Sequence, residues 1–290
     1  MRTVLMVVVI LAMALALALG LAEWRWRADT AKVAARLLGS AADKGPAPFS
    51  EKAVAGLPVP VARYLRLVLR EGQPLPRSVR LEWRGDFLVR PPDGWGPFTA
   101  TQTVAIRPGG FVWDARMRMG PGVSVRVRDS FVHGEGSMRA KALGLFTVVS
   151  VEGTSEIAVS ALQRWLAEAV WYPAALLPGQ SVEWAPLDDT SARATARVAG
   201  VTATIDYYFG ADGLVERVFA AERGRDVNGR SQPTPWEGHL AEWGERGGGR
   251  LPLAGEVAWL LPEGRQVYWR GRLAGIVYEE PEPDPARPSS

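Results

Sequence analysis

The chain has 290 residues, 47% hydrophobic and 22% charged, which is enough apolar material for one large core or two modest ones. Its 34 Lys and Arg are nearly balanced by 31 Asp and Glu, and the net charge of +3 is far from a nucleic-acid-binding profile. The absence of cysteine excludes a disulfide framework, a thiol nucleophile, a Cys-ligated metal and a lipidated N-terminal cysteine.

Val4 to Ala22 carries no charge and is long enough to cross a bilayer as a helix. Two readings stay open. An uncleaved anchor fits the length of the apolar run, and Trp24 and Trp26, interleaved with Arg25 and Arg27, resemble an interfacial belt beside it. A cleaved signal peptide would use Gly20-Leu21-Ala22 as its small-x-small site. Arg25, Arg27, Lys32 and Arg36 outnumber Arg2, and that bias alone would hold the following domain in the cytoplasm, whereas a signal-type segment would export it.

Ala28 to Leu38 reads as a short amphipathic helix, and Gly39 to Ser50 as a linker. A second helix opens at Pro58 or Pro60 and runs to about Arg70. Its buried stripe is Val61, Tyr64, Leu65, Val68 and Leu69. Arg63, Arg66 and Arg70 line its other side, as a solvated face or a contact for anionic lipid.

From Val79 the period switches to two. Val79, Leu81, Trp83 and Phe87 alternate with charged residues, and similar segments follow through Glu152. Pro91 to Pro97 reads as a turn. One-sided alternation of this kind predicts antiparallel pairing with one face covered.

Ser160 to Gly179 interrupts the strands. Leu162, Trp165, Leu166, Ala169 and Val170 form a continuous apolar stripe at helical spacing, with Ser160 as a candidate N-cap. Arg164, Glu168 and Trp171 share another face, and Pro173 predicts a kink or stop near Tyr172. Strands resume at Val182 and continue to Tyr278. Asp188-Asp189 reads as a turn, Gly224 to Pro235 as a polar loop, and Gly247 to Gly249 as a flexible connection. Glu279 to Ser290, rich in Pro and Glu, reads as disordered.

The expected architecture is α+β. A mainly antiparallel, strongly curved sheet, a half-barrel, wraps a central helix and follows an N-terminal transmembrane helix; two separate sheets are the alternative. The expected units are an anchor or signal segment over 1–27, a linker with a short helix over 28–56, a single β-rich domain over 57–278 and a tail over 279–290.

Five blocks, LPVPVARYLR (57–66), GGFVWDARM (109–117), RWLAEAVWYPAALLP (164–178), PWEG (235–238) and VYWRG (267–271), resemble a bacterial domain-of-unknown-function family of membrane-anchored proteins. That family has no assigned activity, so the resemblance implies no catalytic residue. The order strands, helix, strands is also similar to the half-barrel of periplasmic lipoprotein carriers and related lipid-binding proteins. A single N-terminal span in the bacterial cytoplasmic membrane is expected; the side of the domain stays open, and this second similarity implies the extracytoplasmic one.

No constellation carries chemistry. His133 and His239 have no spacing that makes a metal pair. No Gly-rich loop opens a helix after a strand, and no serine sits in a nucleophile-elbow setting. The strand arginines Arg116, Arg118, Arg126, Arg128 and Arg139 read as a solvated face. A non-catalytic protein without metal or cofactor is expected. Trp165, Trp171, Tyr172 and Trp113 are the candidate site. They are core if the sheet closes on the helix, and the lining of an apolar groove for an acyl chain if it stays half open. Two functions follow: a membrane-tethered module binding a lipid or acylated protein, or an envelope structural or interaction protein with a packed core and no ligand. The protein partner is left unidentified, and nucleic acid is not expected.

Overall fold

The computed structural model describes residues 1–39, 48–120, 122–179 and 181–279. Most of the linker and the tail from residue 280 lie outside the described residues. Helix α1 (Arg2–Gly39) is one continuous rod, so the short helix over 28–38 is its last third. Its 38 residues reach about 57 Å, of which the uncharged run accounts for about 28 Å, close to the hydrocarbon thickness of a bilayer. Helix α2 (Val59–Val68) begins behind Pro58 and buries Val61, Tyr64 and Leu65 as its spacing predicts.

Thirteen strands form one antiparallel sheet among the described residues. The first meander comprises β1 (Ser78–Arg90), β2 (Gly94–Ala105), β3 (Gly110–Gly120), β4 (Val123–Val132), β5 (Glu135–Ala142) and β6 (Phe146–Glu152). The second comprises β7 (Val182–Asp188), β8 (Ser191–Val198), β9 (Val201–Phe209), β10 (Val215–Val227), β11 (Arg230–Arg246), β12 (Gly249–Leu261) and β13 (Gly264–Glu279). The meanders join where β1 pairs with β13, so the outer strands are β6 and β7.

Helix α3 (Ser155–Ala167) connects those two outer strands. It packs on β5 and on β9, nine strand positions apart in the sheet. A flat sheet would separate those strands by about 43 Å, whereas a helix is only about 10 Å wide. The sheet is therefore strongly curved, with α3 in its concavity and its edges unpaired with each other. The alternation explains which face turns in. Phe111, Trp113, Ala115 and Met117 of β3 are buried against the concave core, while Arg116 and Arg118, of the opposite parity, are exposed.

The convex face is not wholly solvated. The C-terminal half of α1 lies across it, where Trp26 Nε1 donates to Asp114 Oδ1 at 2.8 Å, Arg126 pairs with Glu23, and Arg128 donates to Thr30 and covers the Trp26 ring. Leu37 completes a small second core with Ala105, Val112 and Val132. The expectation of a solvated basic face thus fails at Arg126 and Arg128, because α1 supplies their partners.

Four local expectations also change. Helix α3 starts earlier, capped by Thr154, whose hydroxyl accepts from Ile157 N; Ser160 lies inside the helix and its hydroxyl accepts from Gly224 N instead. Residues 224–235 are strand, not loop, because Asn228-Gly229, both at positive φ, closes a tight β10–β11 hairpin. Gly247 and Gly248 similarly make a tight turn between β11 and β12, and β2 already begins at Gly94, inside the expected 91–97 turn.

Candidate functional site

After Ala167 the chain tightens into two 3₁₀ turns, Glu168–Trp171 and Pro173–Leu176, as the Pro173 ring forbids further α-helix. This segment and α3 form one side of a half-open cavity of about 280 Å³, and the sheet forms the other. Its walls are the rings of Phe87, Trp113, Trp171, Trp236, Tyr268 and Trp269 with aliphatic residues between them.

Of the four candidate residues, Trp113 and Trp171 line the cavity and Trp165 and Tyr172 do not. Trp165 is fully buried, donating Nε1–H to Ala105 O, and Tyr172 is buried with its hydroxyl donated to Trp165 O at 2.7 Å. Trp171 donates to Pro252 O at 2.7 Å, which holds its ring edge-on to Trp83, with centroids 4.8 Å apart. Trp83 meets Trp269 in turn. The ring of Trp269 occupies the space a side chain at Gly271 would need.

One region of the cavity wall is charged. Arg164 donates to Asp129 Oδ2 at 2.7 Å and to Glu168 Oε1 at 2.8 Å, and its guanidinium lies 4.8 Å from the Trp113 ring centroid. The other Glu168 oxygen accepts from Gln102 Nε2 at 2.6 Å, and Gln102 Oε1 accepts from Trp83 Nε1. Burial disfavours the charge on Arg164, but the two carboxylates outweigh it and raise its pKa. Arg164 of α3 and Glu168 just after it thus face the cavity, half-buried, rather than solvent.

Arg223 is the second cation. Val218 and Ala220 point inward, so strict alternation would turn Glu222 in and Arg223 out. A bulge shifts the β10–β11 register between Ala220 and Arg223, and Arg223 faces the cavity while Glu222 is exposed. Its Nη1 donates to Ser160 O at 2.8 Å, and its guanidinium lies 4.9 Å from the Trp236 ring centroid. Burial lowers its pKa. Trp236 Nε1 donates to Tyr268 Oη at 2.9 Å.

Sequence reasoning left Asp129, Arg223 and Tyr268 out of the candidate site. Asp129 was detectable, since it shares the inward parity of Val125, Val127 and Phe131 on β4. Arg223 was not, because nothing local announces the bulge. His133 sits in the β4–β5 turn at positive φ, and His239 Nε2 lies 2.9 Å from Glu237 Oε1. Among the described residues no group of three His, Asp or Glu could hold a metal.

The fold and site define a class: an open antiparallel sheet curled on a helix, with an aromatic cavity between them and a long apolar helix at the N-terminus. The chain belongs to DUF6920, a family of unknown function whose model matches residues 55–278. No curated protein matches the chain. Among solved structures it is similar to a DUF1329 family protein from Desulfovibrio piger, at 9% identity and a TM-score of 0.37, covering 70% of this chain and 86% of that one. It is also similar to a LolA superfamily protein from Nitrosomonas europaea, at 7% identity and a TM-score of 0.37, covering 76% of this chain and 92% of that one. At that TM-score the likeness fixes no ligand for this chain.

Proposed function

We propose that this protein is a membrane-tethered, non-catalytic module that binds a hydrophobic ligand, a lipid or the acyl chain of a lipidated protein, in the cavity between α3 and the sheet. The observation that carries the reading is the cavity itself, about 280 Å³ and walled largely by aromatic rings. Ligand pockets run from roughly 300 to 1,000 Å³, so this one suits a single chain better than a two-chain phospholipid. Tethering is supported by α1, whose apolar run is long enough to cross a membrane and exposes Val4, Leu5, Leu11 and Leu17. The charged groups at the cavity are engaged with other charged groups, with backbone or with aromatic rings, and among the described residues no nucleophile and base stand together there, which favours holding over turning over.

The test is binding to the full chain in uncharged detergent, followed by native mass spectrometry with palmitate and hexadecanol as probes. At least one of the two is expected to bind. Ala140→Phe, which directs a ring into the cavity, is expected to weaken that binding by about tenfold or more, a change of about 1.4 kcal/mol. Binding of neither probe, together with no co-purifying lipid, would overturn the reading.

A further inference from the structure

We propose that the cavity's guest carries an anionic head group, a carboxylate or phosphate, and that Arg223 receives it. This deepens the reading above and rests on it. Both cations of the cavity, Arg164 and Arg223, are half-buried, but they are partnered differently. Arg164 has two carboxylates, Asp129 and Glu168. Arg223 has none within ion-pairing distance among the described residues; its side chain has the Ser160 carbonyl and the Trp236 ring. A guanidinium offers five N–H donors in a planar fork, and one carbonyl uses one of them. Asp129 and Glu168 act on Arg223 only from beyond contact distance, and a half-buried cation of this kind lacks the direct pairing that charges drawn out of water ordinarily have. Yet Arg223 is open to the cavity, which is otherwise walled mainly by apolar groups. Tyr268 lies beside it: its oxygen accepts from Trp236 and its own O–H remains to be donated. A planar carboxylate matches the guanidinium fork, and a charge-assisted bond in an enclosed site is stronger than a neutral one. The guest is then an amphiphile with its chain among the rings and its head at Arg223.

The experiment compares palmitate, hexadecyl phosphate and hexadecanol on the full chain by native mass spectrometry, with inorganic phosphate as an arm without a chain. The two anions are expected to bind about tenfold or more tightly than the alcohol, and inorganic phosphate is expected not to displace them. In Arg223→Gln the preference is expected to vanish while hexadecanol still binds. Equal binding of acid and alcohol by the unaltered protein would overturn the head-group assignment and leave the hydrophobic-ligand reading standing. Displacement by inorganic phosphate alone would overturn the need for a chain. Binding of none of the three amphiphiles would overturn the underlying reading instead.

A separate observation concerns the junction of α1 with the sheet. A second cavity, about 340 Å³, lies where the apolar run of α1 ends. Ala18, Leu21 and Ala22 form one side, and Arg25, Arg128, Arg139 and Lys141 bring four cations against one acid, Asp29. Among the described residues neither Arg25 nor Lys141 has a carboxylate within ion-pairing distance, while Arg139 pairs with Glu152. If α1 spans a bilayer, this pocket lies at head-group depth, where clustered basic residues attract anionic lipid. We infer that it seats the head group of an anionic phospholipid. The full chain in uncharged detergent is expected to retain phosphatidylglycerol several-fold over phosphatidylcholine. Arg25→Gln with Lys141→Gln is expected to reduce that ratio to near one. Equal retention of the two lipids by the unaltered protein, or a ratio unchanged in the double variant, would overturn it.

Discussion

At the scale of single residues, the cavity depends on a chain of hydrogen bonds from Trp83 through Gln102 and Glu168 to Arg164 and Asp129. Removing the cation would strip Asp129 of its ion-pair partner and leave Glu168 with only the Gln102 amide. Arg164→Leu is therefore expected to lower stability by about 3–5 kcal/mol, read as a shifted denaturation midpoint. On the convex face, Glu237 is buried among Arg217, His239 and Arg265, with Arg265 Nε at 2.5 Å. Burial alone would raise this carboxyl; the hydrogen bonds from Arg265 and His239, with their charges, outweigh it and hold the pKa below its ordinary 4.5. A carboxyl depressed in the fold adds stability above its unfolded pKa and loses it as pH falls through the folded one. Acid unfolding is thus expected to steepen below about pH 4.5, and Glu237→Gln to flatten that slope in a pH series of melting curves. The PWEG block gains a physical reading here. Trp236 lines the cavity, Glu237 anchors the outer ion network, and a side chain at Gly238 would press on Val218.

At the scale of elements, the hairpins decide how far the strands extend. Asn228-Gly229 allows β10 and β11 to run on through a stretch that its polar composition reads as a loop. Gly229 holds φ at +77° with open space around it, so Gly229→Ala meets no clash but must adopt a left-handed backbone. A loss of about 1 kcal/mol is expected, visible as a lowered melting temperature without loss of fold. The bulge in β10 has the opposite effect, changing no strand boundary but reversing which side chain enters the cavity. Its signal is absent from the residues themselves, because Ala221 and Glu222 suit an ordinary strand edge equally well. Helix α3 was legible in its stripe but not in its cap, since both Thr154 and Ser160 are good N-caps and only the position of Gly224 assigns Ser160 elsewhere.

At the scale of the molecule, two meanders become one sheet at the β1–β13 seam, where Gly85 faces Gly271. A Cβ on Gly85 would sit 1.9 Å from Arg270 O, so no side chain fits unless β13 moves. Gly85→Ala is expected to cost about 3 kcal/mol and to destabilise both halves in one transition, followed by thermal melting with hydrogen exchange. The one-sided alternation, the helical stripe of α3, the second helix and the apolar N-terminal run are written in the sequence, because each follows from the period at which apolar residues recur along a single element. The β1–β13 seam, the bulge that turns Arg223 inward, the inward orientation of Arg164 and Glu168, and the docking of α1 on the convex face are set only by the tertiary structure. Each of these joins residues far apart in the chain, and which distant surface covers a given face depends on the packing of the whole rather than on any local pattern.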